Sequence, residues 1–223
     1  MKSSRKTADK TKINDTISSR IKNPDLVRKK HILIAKKSAK LFIKKGFAQT
    51  TMREISKATG MAIGNLYDYI TKKEDILSLV FEAYHRHVQE TMIIQDNAAD
   101  ENPLDQFRLF IQRSINNVKI FHDEIHLMYR ESWLLSKTNL ERAKQLELVQ
   151  IKKLAKIIQK GIDQRVFRTQ DPFFSASMIF FQLIILTMRG WTFRGKYSDN
   201  ELEKLLEAYI VQGITPGTHI PTR

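Results

Sequence analysis

Apolar residues recur three and four positions apart along most of the chain, and helix caps stand at the breaks, so the pattern predicts a succession of α-helices. Val27, Ile34, Ala35, Ser38, Leu41 and Phe42 share a face after the Asn23-Pro24 cap, and Gly46 closes that helix. Thr51-Met52-Arg53-Glu54 has the form of a capping box, opening a short helix that Gly60 ends. Ile63, Leu66 and Ile70 place another short helix just beyond the turn. Thr71-Lys72-Lys73-Glu74 reads as a second capping box, and the helix it opens runs through Ile76, Leu77, Val80, Phe81, Tyr84, Val88 and Met92 to about Ile94.

A polar break at residues 96–102 precedes helices expected from Pro103 to Lys119 and from His122 to Leu135. Thr138-Asn139-Leu140-Glu141 predicts the start of the next helix, and Gly161 its end. Asp171-Pro172 opens the most apolar stretch, which meets no charge before Arg189. Ser198-Asp199-Asn200-Glu201 caps a last helix with Leu202, Leu205, Leu206, Tyr209 and Ile210 on one face. No segment shows strand alternation, and no repeat is visible, so the fold class is all-α. The expected organisation is a basic arm without fixed structure over residues 1–22, a three-helix unit over 23–72 and a larger helical domain over 73–223.

Two short helices about a tight turn, with a helix on either side, is the layout of a helix-turn-helix. Such a unit lays its second helix in the DNA major groove with the N-terminal residues nearest the bases. Those residues are Ala62, Ile63, Gly64 and Asn65. Asn pairs bidentately with adenine, Ala62 and Ile63 suit a thymine methyl, and Gly64 permits close backbone approach. The hydroxyls of Tyr67 and Tyr69 are in reach of phosphates, as are Lys72 and Lys73, whose charge at a helix start calls for an external anion.

Charge changes the picture. The net charge of +14 resides wholly in residues 1–73, where 19 Lys and Arg face 5 Asp and Glu; from residue 74 onward 19 face 19. A polyanion partner for the helix-turn-helix part follows, with affinity that falls as salt rises.

Gly46-Phe47, Thr50-Thr51, Ile55, Gly60-Met61, Gly64-Asn65-Leu66-Tyr67, Tyr69 and Lys72-Lys73-Glu74-Asp75-Ile76-Leu77 together resemble the N-terminal domain of the TetR family of bacterial transcriptional regulators. The resemblance spans Leu26 to Leu79 at the residue level and the remainder in its helical layout. It implies that Ile63, Gly64 and Asn65 face bases, and that Thr51, Arg53, Tyr67, Tyr69 and Lys73 hold phosphates of double-stranded operator DNA. The chain departs from the family pattern at Ala62 and Asn65, where hydroxyl residues are frequent, and at Ile70, where Phe is frequent.

The stretch after Asp171 approaches the length of a membrane span, but Ser175, Ser177, Gln182 and Thr187 interrupt it, so no membrane partner is expected. A helix apolar on every side is more often buried on every side. One side would meet the domain core and the other a second copy of the chain, making with the last helix a four-helix homodimer seam. The family resemblance implies the same dimer.

Ten of the twelve Phe and both Trp follow residue 73. The resemblance implies a small-molecule cavity there, which apolar effectors fit. Its expected lining is Phe107, Phe110, Met128, Trp133, Phe174, Met178 and Phe181. An acyl-CoA or fatty acid is the favoured effector, because the stretch around the recognition helix resembles that of members controlling fatty-acid degradation. The family habit makes a repressor the expected sign.

The alternatives are a metal-responsive regulator and a metal-dependent helical enzyme. His122 and His126 share a helix face, with Glu131 further along and His85 and His87 on the connecting helix. Against an enzyme, there is no Cys, no Gly-rich phosphate loop and no paired acids in an apolar setting, so neither catalytic residues nor a cofactor are expected. A cytoplasmic protein agrees with the absence of Cys and of an apolar signal segment at the N-terminus.

Overall fold

In the computed structural model, residues 17–92 and 102–216 are described, and all regular structure among them is helical. Most of the expected arm, the predicted helix end at Ile94 and most of the polar break after it lie outside the described residues.

The first helix, α1 (Pro24–Lys45), begins where the Asn23 carboxamide accepts from the backbone N–H groups of Asp25 and Leu26, both at 3.1 Å, and stops at Gly46, whose φ of 88° suits glycine. α2 (Met52–Thr59) opens with the expected capping box: Thr51 Oγ1 accepts from the Glu54 N–H, and the Glu54 carboxylate accepts from the Thr51 N–H. Gly60 ends it in the left-handed conformation, and Ser56 Oγ donates to the Met61 carbonyl at 2.6 Å, fixing the turn into α3 (Ile63–Tyr67). α1 packs on α2 and on α4 (Lys73–Thr91) around Ile34, Phe42, Ile55, Leu66, Ile70, Ile76 and Leu77, all fully buried.

α4 starts one residue later than the sequence reading has it. The acid that caps it is Asp75 rather than Glu74: Asp75 Oδ2 accepts from the N–H groups of Thr71 and Lys72 at 2.8 and 2.9 Å. Residues 17–20, placed within the expected arm, are held against the helix-turn-helix. Ile17 is buried, and both Ser19 Oγ and the Arg20 N–H donate to the Asp68 carbonyl at the end of α3, because that helix leaves carbonyls without partners.

The second part comprises α5 (Pro103–Ile120), α6 (His122–Glu131) with a 3-10 turn at Ser132–Leu134, α7 (Lys137–Asp163), α8 (Pro172–Arg189) with a 3-10 turn at Gly190–Thr192, and α9 (Asp199–Ile214). The cap of α7 is Ser136, whose Oγ accepts from the Asn139 N–H, two residues before the predicted Thr138 box. Gly161 does not end α7. The helix continues to Asp163, and a Cβ built on Gly161 would overlap the Phe167 ring, so the glycine is there for close packing. The chain then turns through Arg165, at a φ of 59°, into Phe167, which stacks on Phe107 of α5 at 5.3 Å between centroids. α9 opens with the predicted Ser198–Glu201 capping box.

α7 packs along α8, with α5 against both. α4 packs on α1 at one side and on α6 and α7 at the other, and α6 also touches α1. Two helices of the larger part therefore bear on α1.

Candidate DNA interface and effector cavity

The five residues of α3 are held from within by Leu66, which is fully buried. Ala62, Ile63, Gly64, Asn65 and Tyr67 are all exposed, so the predicted base-facing residues form one outward surface. Thr51 and Arg53 at the start of α2 are exposed as well, as are Lys36, Lys37, Lys40, Lys44 and Lys72.

Two expected phosphate contacts sit differently. Tyr69 is only 7% exposed, and its carbonyl lies 2.8 Å from His31 Nε2, tying the end of the helix-turn-helix to α1. Lys73 is half-buried, and its ammonium donates to the carbonyls of Phe47 and Thr50 at 2.9 and 3.1 Å and lies over the Phe47 ring. The charge that seemed to ask for an external anion thus holds the α1–α2 turn, and Lys72 is the cation left exposed beside it. The Thr51 hydroxyl is also engaged, with Glu54. Glu54 in turn pairs with Lys45; these bonds hold its carboxyl down at about 2.

In the larger part a cavity of about 230 Å³ lies between α4, α5, α6, α7 and α8. Phe81, Tyr84 and Val88 of α4 with Met92 just beyond its end form one wall, Ile125, Met128 and Tyr129 of α6 another, and Phe180, Leu183 and Ile184 of α8 a third. The lining is mostly apolar, and the volume is below the roughly 300–1,000 Å³ of sites that enclose drug-sized molecules. α7 supplies a polar line at three-residue spacing: Lys144, exposed; Glu147, half-buried; and Gln150, 3% exposed. Burial raises the Glu147 carboxyl, and burial together with the Glu147 charge raises the phenols of Tyr84 and Tyr129. His85 beside them is pushed down to about 4 by burial and is neutral at pH 7.

A family model described as bacterial regulatory proteins, tetR family, matches residues 34–80, and one described as tetracyclin repressor-like, C-terminal domain, matches residues 100–214, over half of the chain. The chain belongs to the tetR family of bacterial regulatory proteins. A relative from Bacillus subtilis strain 168, the uncharacterized HTH-type transcriptional regulator YfiR, is 23% identical over 160 residues, covering 70% of this chain and 76% of its own length. Among solved structures, the ketosteroid transcriptional regulator KstR2 of Mycobacterium tuberculosis matches with a TM-score of 0.66 at 17% identity, over 90% of this chain and 100% of that one. AibR, solved in complex with isovaleryl coenzyme A and operator DNA, gives 0.67 at 20% identity over 83% and 98%. At such identities these structures share the fold.

Of the seven residues expected to line an effector cavity in this tetR-family regulator, only Met128 lines the cavity described above. Phe107 and Phe110 are fully buried but stack on Phe167 and Phe180, which places them behind the cavity wall. Trp133 is 75% exposed. Phe174, Met178 and Phe181 lie on the outer face of α8, where Phe181 is 69% exposed. The buried stripe of α8 is instead Ala176, Ile179, Leu183 and Thr187. What the sequence reading missed are the wall of α4 and the polar line of α7.

The outer face of α8 is apolar and continuous. Phe174, Met178, Phe181, Ile185 and Met188 follow one another at intervals of four, three, four and three, the spacing of a helix–helix seam, and Leu205 and Tyr209 of α9 are exposed too. Pro172–Thr192 is, by length and composition, the one span among the described residues apolar enough to cross a bilayer.

The histidines do not converge. His122 is exposed, with Nδ1 3.1 Å from Asp123 Oδ1; Glu131 pairs with Arg130, and His87 stacks on Phe121. Among the described residues no three metal-ligating side chains come together.

Proposed function

We propose that this tetR-family regulator is a homodimeric repressor, working in the cytoplasm, that leaves a palindromic operator when a small, mostly apolar effector fills the cavity. The observation that carries the reading is the shared packing: α4 and α6 line the cavity, and both bear on α1, the helix behind the helix-turn-helix. An effector that needs these helices further apart favours a dimer whose recognition helices are misplaced for successive major grooves, and lowers operator affinity by the ratio of its two affinities.

In this reading Ala62, Ile63, Gly64 and Asn65 read bases, while Thr51, Arg53, Tyr67 and Lys72 position the backbone. Lys73 and Tyr69 act indirectly, by fixing α2 and α3 on α1. The outer face of α8 with α9 forms the dimer seam. An apolar surface of this extent needs a cover, and a second copy also doubles the operator read.

Acyl-CoA is one effector class that fits. Its acyl chain suits the apolar walls, the coenzyme would remain outside a cavity of this volume, and AibR is a structural neighbour solved with isovaleryl coenzyme A. Anisotropy of a labelled operator duplex titrated with the protein, with and without octanoyl-CoA, tests both parts. Selective operator binding is expected, and its release by the thioester would support acyl-CoA. Selective binding indifferent to it removes acyl-CoA and keeps the regulator, and no preference over random DNA removes the reading.

A further inference from the structure

The polar line on α7 is unexpected in an apolar cavity, and its deepest member is unsatisfied. Gln150 is 3% exposed, and neither its Nε2 nor its Oε1 has a hydrogen-bond partner. A buried amide without partners is costly, so a side chain kept in this state inside a cavity marks a place where a ligand supplies at least one of the missing bonds. One turn earlier, Glu147 faces the same cavity, with Tyr84 and Tyr129 close enough to feel its charge.

No described cation lies within ion-pair distance of Glu147. Lys144 pairs with Glu141, at 3.9 Å, and Arg142 is 3.7 Å from Glu82. His85, facing the same cavity, is neutral at pH 7, because burial holds it near 4. None of the ionisable groups lining the cavity with Glu147 forms an ion pair with it, while the phenol and benzene rings of Tyr84, Tyr129, Phe81 and Phe180 provide faces that favour a cation.

We infer that the effector is an amphiphilic amine, whose protonated nitrogen lies between Glu147, the Gln150 amide oxygen and the two tyrosines while its apolar body fills the walls from α4, α6 and α8. This rests on the cavity being the effector site, and it chooses among the apolar molecules that the site admits. An ammonium donates up to three hydrogen bonds, matching acceptors on Glu147, Gln150 and a tyrosine hydroxyl. A carboxylate would meet Glu147 with like charge, and an alcohol would leave it without a counter-ion.

Calorimetric titration of the full-length protein at pH 7 with n-octylamine, n-octanol and octanoyl-CoA tests this, with operator release measured in parallel. Octylamine is expected to bind at least about tenfold more tightly than octanol, the margin of a charge-assisted bond. Glu147→Gln should remove that preference, and Gln150→Leu should weaken octylamine. The comparison of amine with alcohol on the unaltered protein needs no variant to fold. Octanol or octanoyl-CoA binding as tightly as octylamine, a preference that survives Glu147→Gln, or no binding of octylamine would each overturn the amine. In those cases operator release by octanol or octanoyl-CoA would keep the cavity as the effector site. A cavity filled by any probe without loss of operator affinity would overturn the site itself.

Discussion

Asn65 and His85 carry different parts of the regulator, and each gives a separate test. Asn65 is exposed on α3, and its carboxamide is the group on that helix that can pair bidentately with a base. Asn65→Ala should cost about 1–3 kcal/mol on the selected operator and relax preference at one base pair. Lys72→Ala should weaken all sequences alike and lower the salt slope by about one. Competition binding across single-base operator variants separates the two. His85 is neutral in the fold, its value held near 4 by burial against an ordinary 6.5. Below about pH 6.5 the unfolded chain takes up a proton that the folded chain refuses until about pH 4, so stability falls as pH falls through that window. Urea denaturation at steps from pH 7 to pH 4 should show this slope, and His85→Gln should flatten it.

At the level of elements, caps and apolar spacing were legible and side-chain partners were not. The boundaries of α1, α2 and α9 follow from Asn23, the Thr51–Glu54 box and the Ser198–Glu201 box, because capping is local chemistry between residues two or three apart. Gly161 misled because a glycine near a helix end reads as a stop, whereas here it leaves room for a ring six residues on. Gly161→Ala should therefore destabilise by about 1–3 kcal/mol through overpacking, seen as a lower urea midpoint with an unchanged slope. A glycine serving only as a helix residue would gain stability from the same change. Lys73 misled for a related reason: its carbonyl partners at Phe47 and Thr50 lie over twenty residues away in sequence, beyond what local charge counting reaches. The cavity was the least legible part. Composition located the apolar residues but not which side of each helix they occupy, so Phe174, Met178 and Phe181 were assigned to the lining although they lie on the exposed outer face of α8.

For the whole molecule, the claim is that one dimer couples a seam, a cavity and two recognition helices. The seam is testable by itself. Phe181→Lys puts a charge at the centre of the exposed α8 stripe, and light scattering should show the mass falling from two chains to one while helical content is kept. The monomer should bind operator weakly, since half of the site remains. In the proposed reading, coupling runs through α4 and α6, which line the cavity and also pack on α1. In the same reading the basic N-terminal part, residues 1–73, supplies affinity for any duplex, and the exposed surface of α3 supplies the choice among them. The most direct measurement is in vitro selection of random duplexes with the full-length protein, followed by anisotropy on the selected sequence across a salt series. A two-fold symmetric sequence, bound by one dimer and preferred over random DNA by about a thousandfold or more, is the predicted result. Enrichment of no sequence, with every duplex bound alike and released together by salt, would contradict it.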